Sequence, residues 1–209
     1  MALFFIFSMF LGAALQLTNM YGDVFLSDFG KNPAYADSFV VKRSTLIMSI
    51  SQFSETAFIL AIPFFLKKFG IKKVMLISMF AWVLRFAFFA YGDPYGFGLG
   101  LIILSCIVYG MAFDFFNVSG SLFVETSTDY KIRSSAQGLF MMMTNGFGAI
   151  IGSFGSGWII SNYFTLANGD KMWHEIWLLF AGYSLIITIL FAIFFKHKHN
   201  PEEVAVANH

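Results

Sequence analysis

The sequence has 209 residues, of which 58% are hydrophobic and 12% charged, and its formal net charge is +1. Soluble domains carry about twice this share of charged residues, so the lipid bilayer is the expected solvent of the chain. A net charge near zero gives no reason to expect a nucleic acid partner. The single cysteine, Cys106, excludes an intrachain disulfide, and no cluster of Cys, His, Asp and Glu has the spacing of a metal site. No cofactor or metal is therefore predicted.

Six apolar stretches are long enough to cross a bilayer as helices, which takes about 20 residues each. They are residues 2–21, 44–66, 74–91, 97–124, 138–163 and 176–195. The predicted fold class is all-α, a polytopic membrane protein with one six-helix transmembrane domain over residues 1–195. The polar residues 196–209 are predicted to form a disordered cytoplasmic tail.

The distribution of Lys and Arg predicts the orientation, because cytoplasmic loops carry the excess of positive charge. If the six helices alternate in direction, eight basic residues lie on the side of the termini and four on the other side. Both termini are therefore predicted to be cytoplasmic. The first stretch has no basic residue before its apolar core, which favours a retained helix over a cleaved signal peptide. A helix that starts at Met1 without a polar lead suggests that a preceding segment is missing.

Polar side chains occur inside three of these stretches at helical spacing. They are Gln16 and Asn19 in the first stretch, Gln52 and Glu55 in the second, and Tyr109, Phe113, Asp114 and Asn117 in the fourth. A carboxylate in a membrane-spanning helix costs roughly 3 kcal/mol on insertion scales, so these groups are expected to face a common, wet cavity. Each amide taken alone is equally consistent with a hydrogen bond between helices.

Carboxamides and aromatic faces suit a neutral, planar, hydrogen-bonding ligand. Two buried acids, Glu55 and Asp114, suit proton coupling, because protonation of a carboxylate can permit a movement. The residues therefore favour one half of a proton-coupled transporter, with Asp114 on the transport path. Arg85, inside the third stretch, is interpreted as a structural counter-ion whose partner stays open. The fifth stretch contains Gly148, Gly152 and Gly155, a spacing typical of close helix packing.

Several segments together resemble a known family. The basic turn FFLKKFGIKK (residues 64–73) resembles a degenerate loop motif of the major facilitator superfamily, without its usual Asp. The segments LQLTNMYGDVFL (residues 15–26), SQFSETAF (51–58), YGMAFDFFNVSGSLFVE (109–125) and IRSSAQGLFMMMTNGFGAIIGS (132–153) resemble the nucleoside:proton symporters of that superfamily. The resemblance spans essentially all six helices and places the chain as the C-terminal six-helix half of a twelve-helix transporter of the bacterial cytoplasmic membrane.

The resemblance implies a site for a nucleoside and protons. It implies that Gln16, Asn19, Gln52 and Glu55 hydrogen-bond the nucleoside, that Tyr109 and Phe113 form a wall of the pocket, and that Asp114, with Glu55, serves binding or proton coupling. The substrate of such transporters lies between the halves, so an N-terminal six-helix half is the expected partner.

Three alternatives stay open at this point. A half-transporter for another neutral polar solute, such as a sugar, would use the same carboxamides. A truncated membrane fragment would pack against a partner without transporting anything. An enzyme is not predicted, because no Ser/His/Asp, Cys/His or metal spacing occurs in the sequence.

Overall fold

The computed structural model describes residues 1–197, which form long helices joined by short turns. Within these residues, five helical stretches are long and apolar enough to cross a membrane. They are α1 (Ala2–Asp28), α3 (Ser44–Ala90), α4 (Gly96–Ser127), the helical run over residues 130–163, and α7 (Trp173–Phe194). A short helix, α2 (Phe39–Lys42), lies in the loop between α1 and α3. The prediction of an all-α membrane protein is confirmed. Most of the predicted disordered tail, residues 198–209, lies outside the described residues.

The six predicted segments correspond to five helical stretches because two of them join in α3. Gly70 breaks α3 with φ 77° and ψ 167°, a backbone conformation that a residue with a Cβ rarely adopts. We call residues 44–69 the first arm and residues 71–90 the second arm. The basic turn predicted from the sequence is therefore a break at a single glycine.

Contacts with α4 show that the two arms fold back on each other. The hydroxyl of Ser54, in the first arm, donates a hydrogen bond to the carbonyl of Ile107. Arg85, in the second arm, donates from Nη1 to the carbonyl of Ser105 at 2.7 Å. In an unbroken helix Ser54 and Arg85 would lie about 45 Å apart, yet both reach the same turn of α4.

The helical run over residues 130–163 changes its winding in the middle. It consists of a short 3₁₀ turn (Tyr130–Ile132), α5 (Arg133–Met141), a π-helical segment (Met142–Gly148) and α6 (Ala149–Tyr163). The sequence predicts one regular helix here. A π-helical insertion rotates the side chains that follow it, and such insertions are frequent at functional sites.

Glycines let α1 approach this run closely. A Cβ added to Gly12 would lie 2.0 Å from the carbonyl oxygen of Thr144, and one added to Gly152 would lie 2.8 Å from that of Ala13. A Cβ on Gly155 would meet nothing within 4 Å. The close packing expected from the glycine spacing is therefore present at Gly152 and absent at Gly155. We call the contact between α1 and residues 144–152 the glycine seam.

The loops at one end of the helices are tied together by polar contacts. The ammonium of Lys31 lies 3.2 Å from Asp28 and 3.1 Å from Asp170, which joins the loop after α1 to the loop before α7. These two carboxylates raise the pKa of Lys31. The hydroxyl of Tyr35 donates to Asp93 at 2.8 Å, and this bond raises the pKa of the phenol. The helix α1 also extends to Asp28, two turns beyond its predicted end at residue 21.

Candidate functional site

The first arm of α3 and α4 meet where three of the predicted site residues lie. Gly110 of α4 packs on the backbone of the first arm, and a Cβ at this position would lie 2.6 Å from the amide nitrogen of Glu55. The side chain of Glu55 interacts with that of Tyr109. The charge of Glu55 also interacts electrostatically with Asp114. The absence of a side chain at Gly110 thus allows the acid of one helix to approach the phenol and the acid of the other.

Aromatic rings form one side of this cluster. The rings of Tyr109 and Phe113 are nearly parallel, with an interplanar angle of 3° and centroids 6.0 Å apart. Trp82 of the second arm meets Tyr109 edge to face, at 5.7 Å between centroids. Residues four apart on a helix share one face, so Tyr109 and Phe113 present a continuous aromatic surface on α4. Such a surface can stack with a planar ligand.

Asp114 is buried within this apolar surrounding. Only 6% of the residue is exposed, and its Oδ2 has no hydrogen-bond partner among residues 1–197. Buried polar atoms in proteins are nearly always hydrogen-bonded, so an unpaired carboxylate oxygen requires an explanation. A carboxyl group that binds a proton or a ligand during a transport cycle provides one. The two predicted acids, Asp114 and Glu55, lie close enough to repel each other when both are charged.

Arg85 lies beneath this cluster and does not form the ion pair predicted for it. Within the described residues no carboxylate lies within 4 Å of its guanidinium, which instead contacts Ser105, Thr18 and the face of Tyr109. The prediction of a structural ion pair is therefore wrong, because carbonyl oxygens, a hydroxyl and ring faces stabilise the cation instead.

The remaining predicted residues lie apart from the buried cluster. Gln16 of α1 is half-buried, whereas Asn19 of α1 and Gln52 of the first arm are exposed. Among residues 1–197 none of these three side chains makes a hydrogen bond, so their amides are free to bind a ligand. The structure thus brings together Glu55, Tyr109, Phe113 and Asp114, and it leaves the three carboxamides available on α1 and the first arm.

A small cleft next to Phe113 contains polar residues that are absent from the predicted site. It has room for about one water molecule, 20 Å³. Its polar lining consists of Asn117, Thr144 and Asn145, the last two from the π-helical segment. Asn117 donates to the carbonyl of Phe113 at 3.0 Å. A signal for Asn145 exists in the sequence, since a Thr-Asn-Gly triplet interrupts an otherwise apolar stretch.

The described residues do not form a metal-binding cluster: within 1–197 no three His, Cys, Asp or Glu side chains converge. The side chains at the site offer hydrogen bonding by amides, stacking on aromatic rings and proton exchange at two carboxyl groups.

Comparison with protein families decides where the chain belongs. A family model described as "Nucleoside H+ symporter" matches residues 1–200. The chain belongs to the nucleoside H+ symporter family. The resemblance to nucleoside:proton symporters is confirmed, and the relatives reported below are named as permeases or as a putative transporter.

Three curated relatives of this symporter family member come from Escherichia coli K12. The chain is 58% identical to a xanthosine permease over 204 residues, which is 98% of this chain and 48% of the relative. It is 59% identical to the nucleoside permease NupG over 199 residues, 95% of this chain and 47% of NupG. It is 36% identical to the putative nucleoside transporter YegT over 166 residues, 77% of this chain and 39% of YegT.

Solved structures of NupG are similar to the chain in fold. One matches with a TM-score of 0.89 and 58% identity, over 95% of this chain and 48% of NupG, and a mutant of NupG matches equally well over 93% of this chain. The chain therefore spans about half the length of the relatives it matches. Its assignment to the C-terminal half, made from the sequence, stays a prediction.

Proposed function

We propose that this chain is one six-helix half of a proton-coupled nucleoside importer in the bacterial cytoplasmic membrane. Its membership of the nucleoside H+ symporter family supports the substrate class and the coupling ion. One structural observation supports the proposal. Two acids, Glu55 and Asp114, lie near each other beside the aromatic surface of Tyr109 and Phe113. Its partner is a second six-helix half, which the sequence resemblance places N-terminal to this chain.

In the proposed substrate site, different side chains make different kinds of contact with the nucleoside. The aromatic surface of Tyr109 and Phe113 stacks on the nucleobase. The amides of Gln16, Asn19 and Gln52, with the carboxylate of Glu55, hydrogen-bond the nucleoside; the three amides make no hydrogen bond among residues 1–197 and offer both donors and acceptors.

The proposed coupling site is Asp114, assisted by Glu55. Two neighbouring carboxylates disfavour each other's charged form, so one of them takes up a proton before both are enclosed. Nucleoside and proton enter a cavity that is open to the outside, neutralisation of Asp114 permits the two halves to rock, and both solutes leave inside. The two termini lie in the cytoplasm in this proposal, in agreement with the excess of basic residues on their side of the membrane.

The test is reconstitution with a complementary half. The chain is produced in liposomes alone and together with the half of NupG that it does not cover, and uptake of radiolabelled uridine is driven by an inward proton gradient. We expect uptake only from the pair, abolished by a protonophore. Uptake of glucose or another sugar in place of uridine would favour the sugar alternative. Absence of any uptake from a pair that co-purifies would favour a packing fragment and contradict the proposal.

A further inference from the structure

Arg85 is the one fully buried cation among the described residues, and it joins three parts of the fold. It lies in the second arm, its Nη1 donates to the carbonyl of Ser105 in α4 at 2.7 Å, and its Nε donates to the hydroxyl of Thr18 in α1 at 3.3 Å. The hydroxyl of Ser105 donates back to the carbonyl of Arg85 at 2.9 Å. These bonds fix the guanidinium in one orientation, because the planar fork has several donors in a rigid arrangement.

The guanidinium holds the ring on which the proposed substrate would stack. Its central carbon lies 4.3 Å from the centroid of the Tyr109 ring and 5.1 Å from that of Phe89. Trp82 contacts the edge of the same Tyr109 ring, so its position is fixed by a cation and an aromatic edge. Cation–π contacts are strongest where water is excluded, and Arg85 is 0% exposed.

We propose that Arg85 is the positioning residue of the nucleoside site: it holds the Tyr109 ring in its stacking orientation. It does not touch the substrate. The inference rests on the proposed function, since it assigns how the same site is organised. A Lys at this position keeps the charge but loses the planar fork and most of the ring contact.

The test compares Arg85→Lys, Arg85→Gln and the wild type in the chain paired with the half of NupG that it does not cover. We expect Arg85→Lys to raise the KM for uridine about tenfold, with kcat and the accumulation ratio kept, because the ring loses its support while the charge stays. Arg85→Gln, which loses the charge as well as the guanidinium fork, should raise KM at least as much.

A merely structural role predicts a different result. All Arg85 variants would then lower the amount of folded transporter, and uptake per folded molecule would keep the wild-type KM. That outcome would overturn the inference. If the Arg85 variants fail to fold, Thr18→Val replaces the acceptor of Nε by an isosteric apolar group and should raise KM in the same direction, whereas Thr18→Ser, which keeps the hydroxyl, should not. Equal KM values for Thr18→Val and Thr18→Ser would also overturn it.

Uridine transport by the wild-type pair distinguishes failure of this inference from failure of the proposed function on which it rests. If the wild-type pair transports uridine and the Arg85 and Thr18 variants keep its KM, the proposed function stands and the role of Arg85 is wrong. If the wild-type pair takes up no uridine, the proposed function fails first, and the inference fails with it.

Discussion

Two stretches of α1 differ in what they place against their neighbours. At the glycine seam Gly12 lies against the backbone at Thr144, with no room for another atom. One to two turns further along, Thr18 bonds to the buried Arg85, and Asn19 is exposed without any hydrogen bond among the described residues. The seam fixes the helix by close packing, and the second stretch leaves a polar group free. One helix can therefore be rigid as a scaffold and still offer hydrogen bonds to a ligand.

The largest effect should come from placing a side chain in the glycine seam. Gly12→Val would put atoms about 2 Å from the Thr144 carbonyl, which only a shift of the helices can relieve. We expect no well-folded protein by size-exclusion chromatography and Trp-fluorescence melting in detergent. Gly100→Val is the control, since a Cβ at Gly100 meets nothing within 4 Å. Equal behaviour of the two variants would show that the seam is not closed as described.

Two glycine-to-alanine substitutions on α6 should have opposite effects on the stability of the protein. Gly152→Ala places a Cβ 2.8 Å from the Ala13 carbonyl, and overpacking of this kind costs about 1–3 kcal/mol. Gly155→Ala meets nothing within 4 Å and should be neutral or stabilising by up to about 1 kcal/mol, because Ala is the better helix former. Melting temperatures measured in the same detergent test the order. A lower melting temperature for Gly155→Ala than for Gly152→Ala would contradict it.

Removing the free amides of α1 and the first arm should affect affinity and leave stability unchanged. Asn19→Ala and Gln52→Ala each remove an exposed amide that has no protein partner within residues 1–197. We expect the KM for uridine in the paired transporter to rise about five- to tenfold, the loss of one hydrogen bond, with an unchanged melting temperature. Asn168→Ala, in a loop remote from the site residues along the chain, is the control for uptake. A fall in melting temperature with an unchanged KM would assign these amides to packing.

The smallest effect should come from the ion pairs of the loops. Asp170→Asn removes one of the two carboxylates that contact Lys31, and both partners are about half exposed. Surface ion pairs contribute about 0–1 kcal/mol and are screened by salt. The melting temperature should fall by no more than a few degrees, and the difference from the wild type should shrink in 1 M salt. A large, salt-independent loss would mean that this loop contact supports the helices themselves.

The sequence was sufficient to predict what depends on hydrophobic length and helical spacing. The membrane-spanning segments, the break near Gly70 and the close approach of Gly152 follow from such patterns, and the structure shows them. The proximity of Glu55 and Asp114 was expected from the cost of an isolated acid in a membrane.

The features that the sequence could not predict depend on local winding and on contacts made in the folded structure. The π-helical segment and the position of Asn145 in the cleft arise from a local change of winding that leaves no periodic signal. An ion pair was expected for Arg85 because charge counting considers only opposite charges. Its actual neighbours, a carbonyl, a hydroxyl and the ring of Tyr109, come from two other helices, α4 and α1.

The most direct test of the proposed coupling is Asp114→Asn in the chain paired with the half of NupG that it does not cover. Asn keeps the size and hydrogen-bonding capacity of the side chain but cannot take up a proton. Uridine exchange at equal proton concentration on both sides and uridine accumulation driven by a proton gradient are measured in the same liposomes. We predict that Asp114→Asn keeps exchange and loses accumulation. Accumulation at the wild-type level would contradict the assignment of Asp114 to proton coupling.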